Sequence, residues 1–132
     1  MPRILCDHCR RPLTGPVTKV KAPPPVPMSD IPGVRTRPER VARGTYAPNL
    51  QPREFSDDVP GFIVHPTDAI GTERHPDPMR SIGCCEGPAG SGGTNLVCGG
   101  CGAEVATRQG DCHTQNQVTF ETAAVCLCFS DD

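Results

Sequence analysis

Two Cys-x-x-Cys pairs stand far apart in the chain: Cys6-Asp7-His8-Cys9 and Cys98-Gly99-Gly100-Cys101, the second followed by Gly102. Thiols two residues apart form the knuckle of a metal site, because one tight turn can point both sulfurs at the same ion. Four thiolates fill the tetrahedral shell of Zn2+, and a site with no open position serves structure rather than catalysis. The leading ligand set is therefore Cys6, Cys9, Cys98 and Cys101. The 88 residues between Cys9 and Cys98 are no obstacle, since closure entropy grows only logarithmically with loop length.

A second arrangement competes. Cys84-Cys85 lies 12 residues before Cys98, which is a local, finger-like spacing. Cys85 or Cys84 would then join Cys98 and Cys101, and Cys112 or His113 would complete the set. Cys6 and Cys9 would be left for another ion. Cys84, Cys85, Cys112 and His113 thus stand as an alternative or second site. Other candidates read as structural. His8 is expected to be an exposed spacer, and His65 and His75, each followed by proline, to serve in turns. Cys126 and Cys128, set in an apolar run, are expected as small buried hydrophobes.

The pairs Cys6-x-x-Cys9 and Cys98-x-x-Cys101-Gly102 resemble those of zinc-ribbon proteins. The run from Gly83-Cys84-Cys85 through Leu96-Val97-Cys98 to Asp111-Cys112 is similar in texture to uncharacterised bacterial zinc-ribbon-like proteins. The resemblance spans about 30 residues around the knuckles. It implies a small antiparallel sheet around a structural zinc, a scaffold used to contact nucleic acid or protein. It implies no activity, and the long proline-rich insertion departs from a compact ribbon.

Composition explains why a metal would matter. Leu, Ile, Val and Phe make up 25 of 132 residues, with no Trp and a single Tyr, against 16 Pro and 14 Gly. So few apolar residues struggle to build a core. Disorder would ordinarily go with a large net charge, and here it is only −2. A thiolate-bound zinc can supply on the order of 10 kcal/mol that a small core cannot. Nine cysteines, an odd number, exclude complete internal disulfide pairing. There is no apolar leader at the N-terminus and no run of about 20 apolar residues. These features predict a reduced, cytoplasmic protein with no membrane segment.

The elements that must position the thiols follow from punctuation. Residues 1–15 form the first knuckle. Residues 16–60 are broken throughout by proline, with Pro23-Pro24-Pro25-Val26-Pro27 extended. They form an irregular basic strap or linker without a long helix. Residues 61–132 form a cysteine-rich β domain that carries the second knuckle and makes one folded unit with residues 1–15. Strands are predicted at 61–65, 117–121 and 123–129, the 117–121 strand half-buried by its alternation, while 95–97 leads into Cys98 and 103–107 leads away from the second knuckle. A single helical turn is expected at 66–71, capped by Thr67 and stopped by Gly71. Pro76 and Pro78 argue against regular structure beside them. The fold class is a small β-rich, zinc-stapled domain with a zinc-ribbon-like antiparallel sheet and a long proline-rich segment.

Charge is divided. Residues 1–53 carry ten Lys or Arg against Asp7, Asp30 and Glu39, whereas residues 54–132 carry Arg74, Arg80 and Arg108 against twelve acids. The basic arm either neutralises the acidic body or reaches for nucleic acid, and its lack of aromatics for base stacking favours the former. Gly87–Gly93 lacks the Lys-Ser/Thr ending of a phosphate loop, and no hydrolase constellation stands out. The expected function is a non-enzymatic zinc protein that binds another protein, with no small-molecule substrate. Nucleic-acid binding through the basic N-terminal segment is the alternative. A thiol redox sensor using Cys84-Cys85, Cys126-x-Cys128 or Asp111-Cys112-His113 is the third reading.

Overall fold

Sixteen prolines and fourteen glycines leave room only for short regular segments. The structure, a computed structural model, describes residues 1–28, 30–34, 36–52, 56–84 and 87–129, and it is built of strands. They are β1 (Arg3–Cys6), β2 (Thr18–Lys19), β3 (Thr45–Asn49), β4 (Gly61–Val64), β5 (Thr72–Arg74), β6 (Leu96–Cys98), β7 (Glu104–Gln109), β8 (Gln117–Phe120) and β9 (Val125–Cys128). β1 and β9 form a two-stranded antiparallel sheet in which Cys6 faces Val125. The other seven make one sheet in the order β2-β3-β4-β8-β7-β6-β5. Within it only β2 and β3 run parallel. No α-helix occurs among the described residues, only two 3-10 turns at Pro66–Asp68 and Pro78–Ser81.

Registers place Tyr46, Val64, Val118, Phe120 and Ala106 on one face of the large sheet. There they meet Ile4, Cys6 and Val125 of the small sheet in the main core, together with Leu13 and Val17. Tyr46 and Phe62 pack edge to face at 5.8 Å. Phe120 is fully buried on the central strand β8.

The opposite face carries Ala47, Ile63, Thr119, Gln117, Thr107 and Gln109. It is covered by the proline-rich stretch of the same chain. Val41 packs on Ala47 and Ile63, flanked by Val20 and Ala22. Gln115 bonds the backbone of Val26 in both directions, its Oε1 accepting from the Val26 amide at 2.8 Å. The Arg40 amide donates to the Asn116 carbonyl, and Asn116 Nδ2 to the Arg37 carbonyl. Arg40 is the centre of this seam. Its guanidinium pairs with Asp58 at 2.5 Å, with both side chains less than 10% exposed, and donates to the Pro23 carbonyl. Asp58 in turn accepts from Gln117, which bonds Gln109.

This cover corrects one expectation. β8 alternates in sequence like a half-buried strand, yet all four of its residues are buried. Gln117 and Thr119 lie on the face turned away from the main core, and Gln117 is bonded there to Asp58 and Gln109, so its polar character does not mark a wet surface. Two turns also differ from their sequence reading. His65, not Thr67, caps the turn at Pro66–Asp68, and Ala69 rather than Gly71 ends it. Pro78 does not preclude a regular turn but begins one, the position where a missing amide costs nothing. The histidines serve as the X-Pro reading expected: His65 Nδ1 accepts from the Thr67 amide and His75 Nδ1 from the Asp77 amide.

Candidate metal centre

The two knuckles are built alike. In the first, the Cys6 amide donates to the Arg11 carbonyl and the Arg10 amide to the Cys6 carbonyl. In the second, the Cys98 amide donates to the Ala103 carbonyl and the Gly102 amide to the Cys98 carbonyl. The residue after each second cysteine takes a left-handed backbone, φ 68° at Arg10 and 79° at Gly102. Glycine adopts this freely and arginine does not. Each turn thus puts one thiol inward and one outward. Cys6 and Cys98 are buried, whereas Cys9 and Cys101 are exposed.

The packing of the small sheet on the large one brings the knuckles face to face. Cys6 Sγ lies 3.6 Å from Cys101 Sγ, and Cys9 Sγ lies 3.5 Å from Cys98 Sγ. The pairing is crossed, the first thiol of each knuckle meeting the second of the other. All four sulfurs lie within 4.8 Å of one another, as free thiols with no disulfide between them. Sulfurs around a tetrahedral ion with bonds near 2.3 Å would stand about 3.8 Å apart, so the cage has the right size for one metal ion. The donor set fits as well, since four thiols with amide hydrogen bonds suit a cation that holds them as thiolates. The Gly100 amide already points at Cys98 Sγ at 3.4 Å.

Electrostatics within the cage are uneven. Burial disfavours the Cys98 thiolate, but the amides of Cys101 and Gly100 and the thiols of Cys9 and Cys101 outweigh it and lower its pKa to about 7. At Cys101 the Ala103 amide favours the thiolate. Desolvation and the competing sulfurs of Cys6, Cys9 and Cys98 override it and push the pKa up to about 12. Four crowded sulfurs cannot all ionise without a cation among them.

The rival ligands gather elsewhere. Cys84, Asp111, Cys112 and His113 form a separate group, with their ligand atoms within 4.8 Å of one another. The finger-like set mixing Cys84 or Cys112 with Cys98 and Cys101 is therefore not the one assembled. Cys85 lies outside the described residues. Asp111 belongs to this group as a fully buried side chain, and its only signal in the sequence is its place beside Cys112. Cys126 and Cys128 are half-buried rather than buried, because β9 is one of only two strands in its sheet. Cys126 Sγ accepts from Arg10 at 3.0 Å. His8 is exposed.

Among the described residues, basic side chains of the N-terminal segment pair with acids of the body, Arg40 with Asp58 and Arg43 with Asp68. No helix among the described residues is long and apolar enough to cross a membrane. No family model, no curated protein and no solved structure matches the chain.

Proposed function

We propose that the protein is a non-enzymatic, structural-zinc module that presents a surface to another protein. The observation that carries this reading is the closed, crossed set of Cys6, Cys9, Cys98 and Cys101 at the junction of the two sheets. A four-sulfur site of tetrahedral size suits Zn2+, which is borderline-soft, redox-inert and content with four ligands. Such a shell leaves no position for substrate, so its contribution is cohesion. Free thiols at Cys6, Cys9, Cys98 and Cys101 accord with a reducing, cytoplasmic setting. A zinc-ribbon-like architecture is the reading these knuckles support.

The strap supplies the surface. Its inner side is fixed on the sheet through Val26, Arg37 and Arg40, while Met28, Ile31 and Val34 stand 40% exposed or more on its outer arc. A basic N-terminal segment that is partly neutralised within the fold favours a protein partner over nucleic acid.

Native mass spectrometry of the protein isolated from its own cells under reducing conditions tests the reading. The expected result is bound zinc at the four-cysteine cage and a co-purified protein that is lost when Met28, Ile31 and Val34 are replaced by serine. A cage without metal, or tight binding of generic RNA or DNA at low salt in place of a protein, would overturn it.

A further inference from the structure

The group at Cys84, Asp111, Cys112 and His113 lies at the other end of β7 from the second knuckle. β7 leaves Cys101 just before Glu104 and reaches Gln109 just before Asp111, so six strand residues of about 3.3 Å each put roughly 20 Å between the two clusters. They are distinct sites on one strand.

Several features assemble the group. Gly110 donates its amide to the Pro88 carbonyl, which draws residues 87–89 onto the end of β7. Gly83 makes the approach close, because a Cβ there would lie 2.5 Å from Asp111 Oδ2. The turn after β7 is closed by Thr114, whose hydroxyl accepts from the Asp111 amide and whose own amide donates to the Asp111 carbonyl. The buried Asp111 carboxylate then ties both cysteines in place. Its Oδ2 accepts from the Cys84 amide at 2.5 Å and its Oδ1 from the Cys112 amide at 2.8 Å. Cys84 Sγ consequently stands 3.3 Å from Cys112 Sγ and 3.8 Å from His113 Nδ1. A tetrahedral ion with two sulfur ligands and one imidazole would set these separations at about 3.8 and 3.6 Å.

We propose that Cys84, Cys112 and His113 Nδ1 form a second metal centre for a zinc-class divalent cation, oriented by the Asp111 carboxylate. The site differs in kind from the four-sulfur cage. Cys84 and His113 are exposed, and an imidazole stands among its donors. Its ion therefore exchanges more readily than the first. Asp111 acts as a positioning residue, in the manner of carboxylates that fix metal ligands through hydrogen bonds. His113 also lines a cleft with Pro25 and Arg37 of the strap.

The test uses the full chain, equilibrated with Zn2+ under reducing conditions and counted by native mass spectrometry. The wild type is expected to hold two ions, and C84S/C112S one. His113→Asn, an exposed substitution that leaves the fold untouched, is expected to weaken the second ion at least tenfold in a Co2+ titration and to remove an imidazole-thiolate spectrum. The four-thiolate spectrum should remain. One ion in the wild type that C84S/C112S leaves in place would overturn the proposal. So would two ions unchanged in both variants, or a Cys84–Cys112 disulfide under these conditions. The first cage keeps its own ion in these variants, so the two readings fail separately.

Discussion

At the scale of single residues, the matched knuckles make two positions informative. Gly102 sits at φ 79° with nothing within 4 Å of where a Cβ would stand. Gly102→Ala therefore meets no steric clash and carries only the left-handed backbone cost, about 1 kcal/mol in denaturant unfolding of the metal-loaded protein. The matching Arg10 bears that strain natively and returns a hydrogen bond to Cys126. Glu104, at the start of β7, accepts from the Thr94 hydroxyl at 2.6 Å and from Arg80 at 3.1 Å. The Thr94 hydrogen bond first, then Arg80, lower its pKa below the ordinary 4.5. A carboxylate lowered in the folded state stabilises above its unfolded value, and the gain is lost as pH falls through the folded one. Glu104 is largely exposed, so Glu104→Gln is expected to cost a few tenths of a kcal/mol at neutral pH and nothing in acid, measured as thermal midpoints across that range.

At the scale of elements, the strap and the central strands depend on Arg40. Removing it leaves Asp58 buried beside Gln117 without its cation, and breaking such a pair costs about 3 kcal/mol. Arg40→Ala is expected to lower stability by that order and to open residues 23–43 to limited proteolysis, while the wild type resists there. An unchanged digestion pattern would show that the apolar contacts of Val41 suffice. This seam was not legible in the sequence. Knuckles announce themselves because the two-residue spacing is a local requirement, reinforced in the second by the following Gly102. Arg40, Asp58, Gln109 and Gln117 are brought together by chain reversals that leave no periodic trace. The alternation of β8 was visible, but what lay on its polar side was not. The turns were legible in part: an X-Pro histidine marks a cap, whereas its choice over Thr67 depends on geometry. The grouping of Cys84 with His113 rather than Cys98 rests on Pro88 bonding Gly110 and the Cys84 amide bonding Asp111, contacts that spacing alone does not encode.

At the scale of the whole molecule, the four-cysteine cage joins a two-stranded sheet to a seven-stranded one. A lone two-stranded sheet is marginal in water. The core that holds it, Ile4, Cys6, Leu13 and Val125 with Cys98, Val105 and Phe120, is small and already includes two of the ligands. Exhaustive chelation is expected to undock β1 and β9 and to abolish cooperative unfolding, read by circular dichroism and by amide exchange at residues 3–6 and 125–128. Retention of full protection without metal would assign the cohesion to the core and strap instead. The pairing of β1 with β9 also sets an order of events. On the ribosome, Cys6 and Cys9 emerge long before Cys98 and Cys101 exist to meet them, and β1 waits longer still for its neighbour. During synthesis the first knuckle is thus an open two-thiol hook, exposed to stray copper, to oxidants and to any chaperone that shields it.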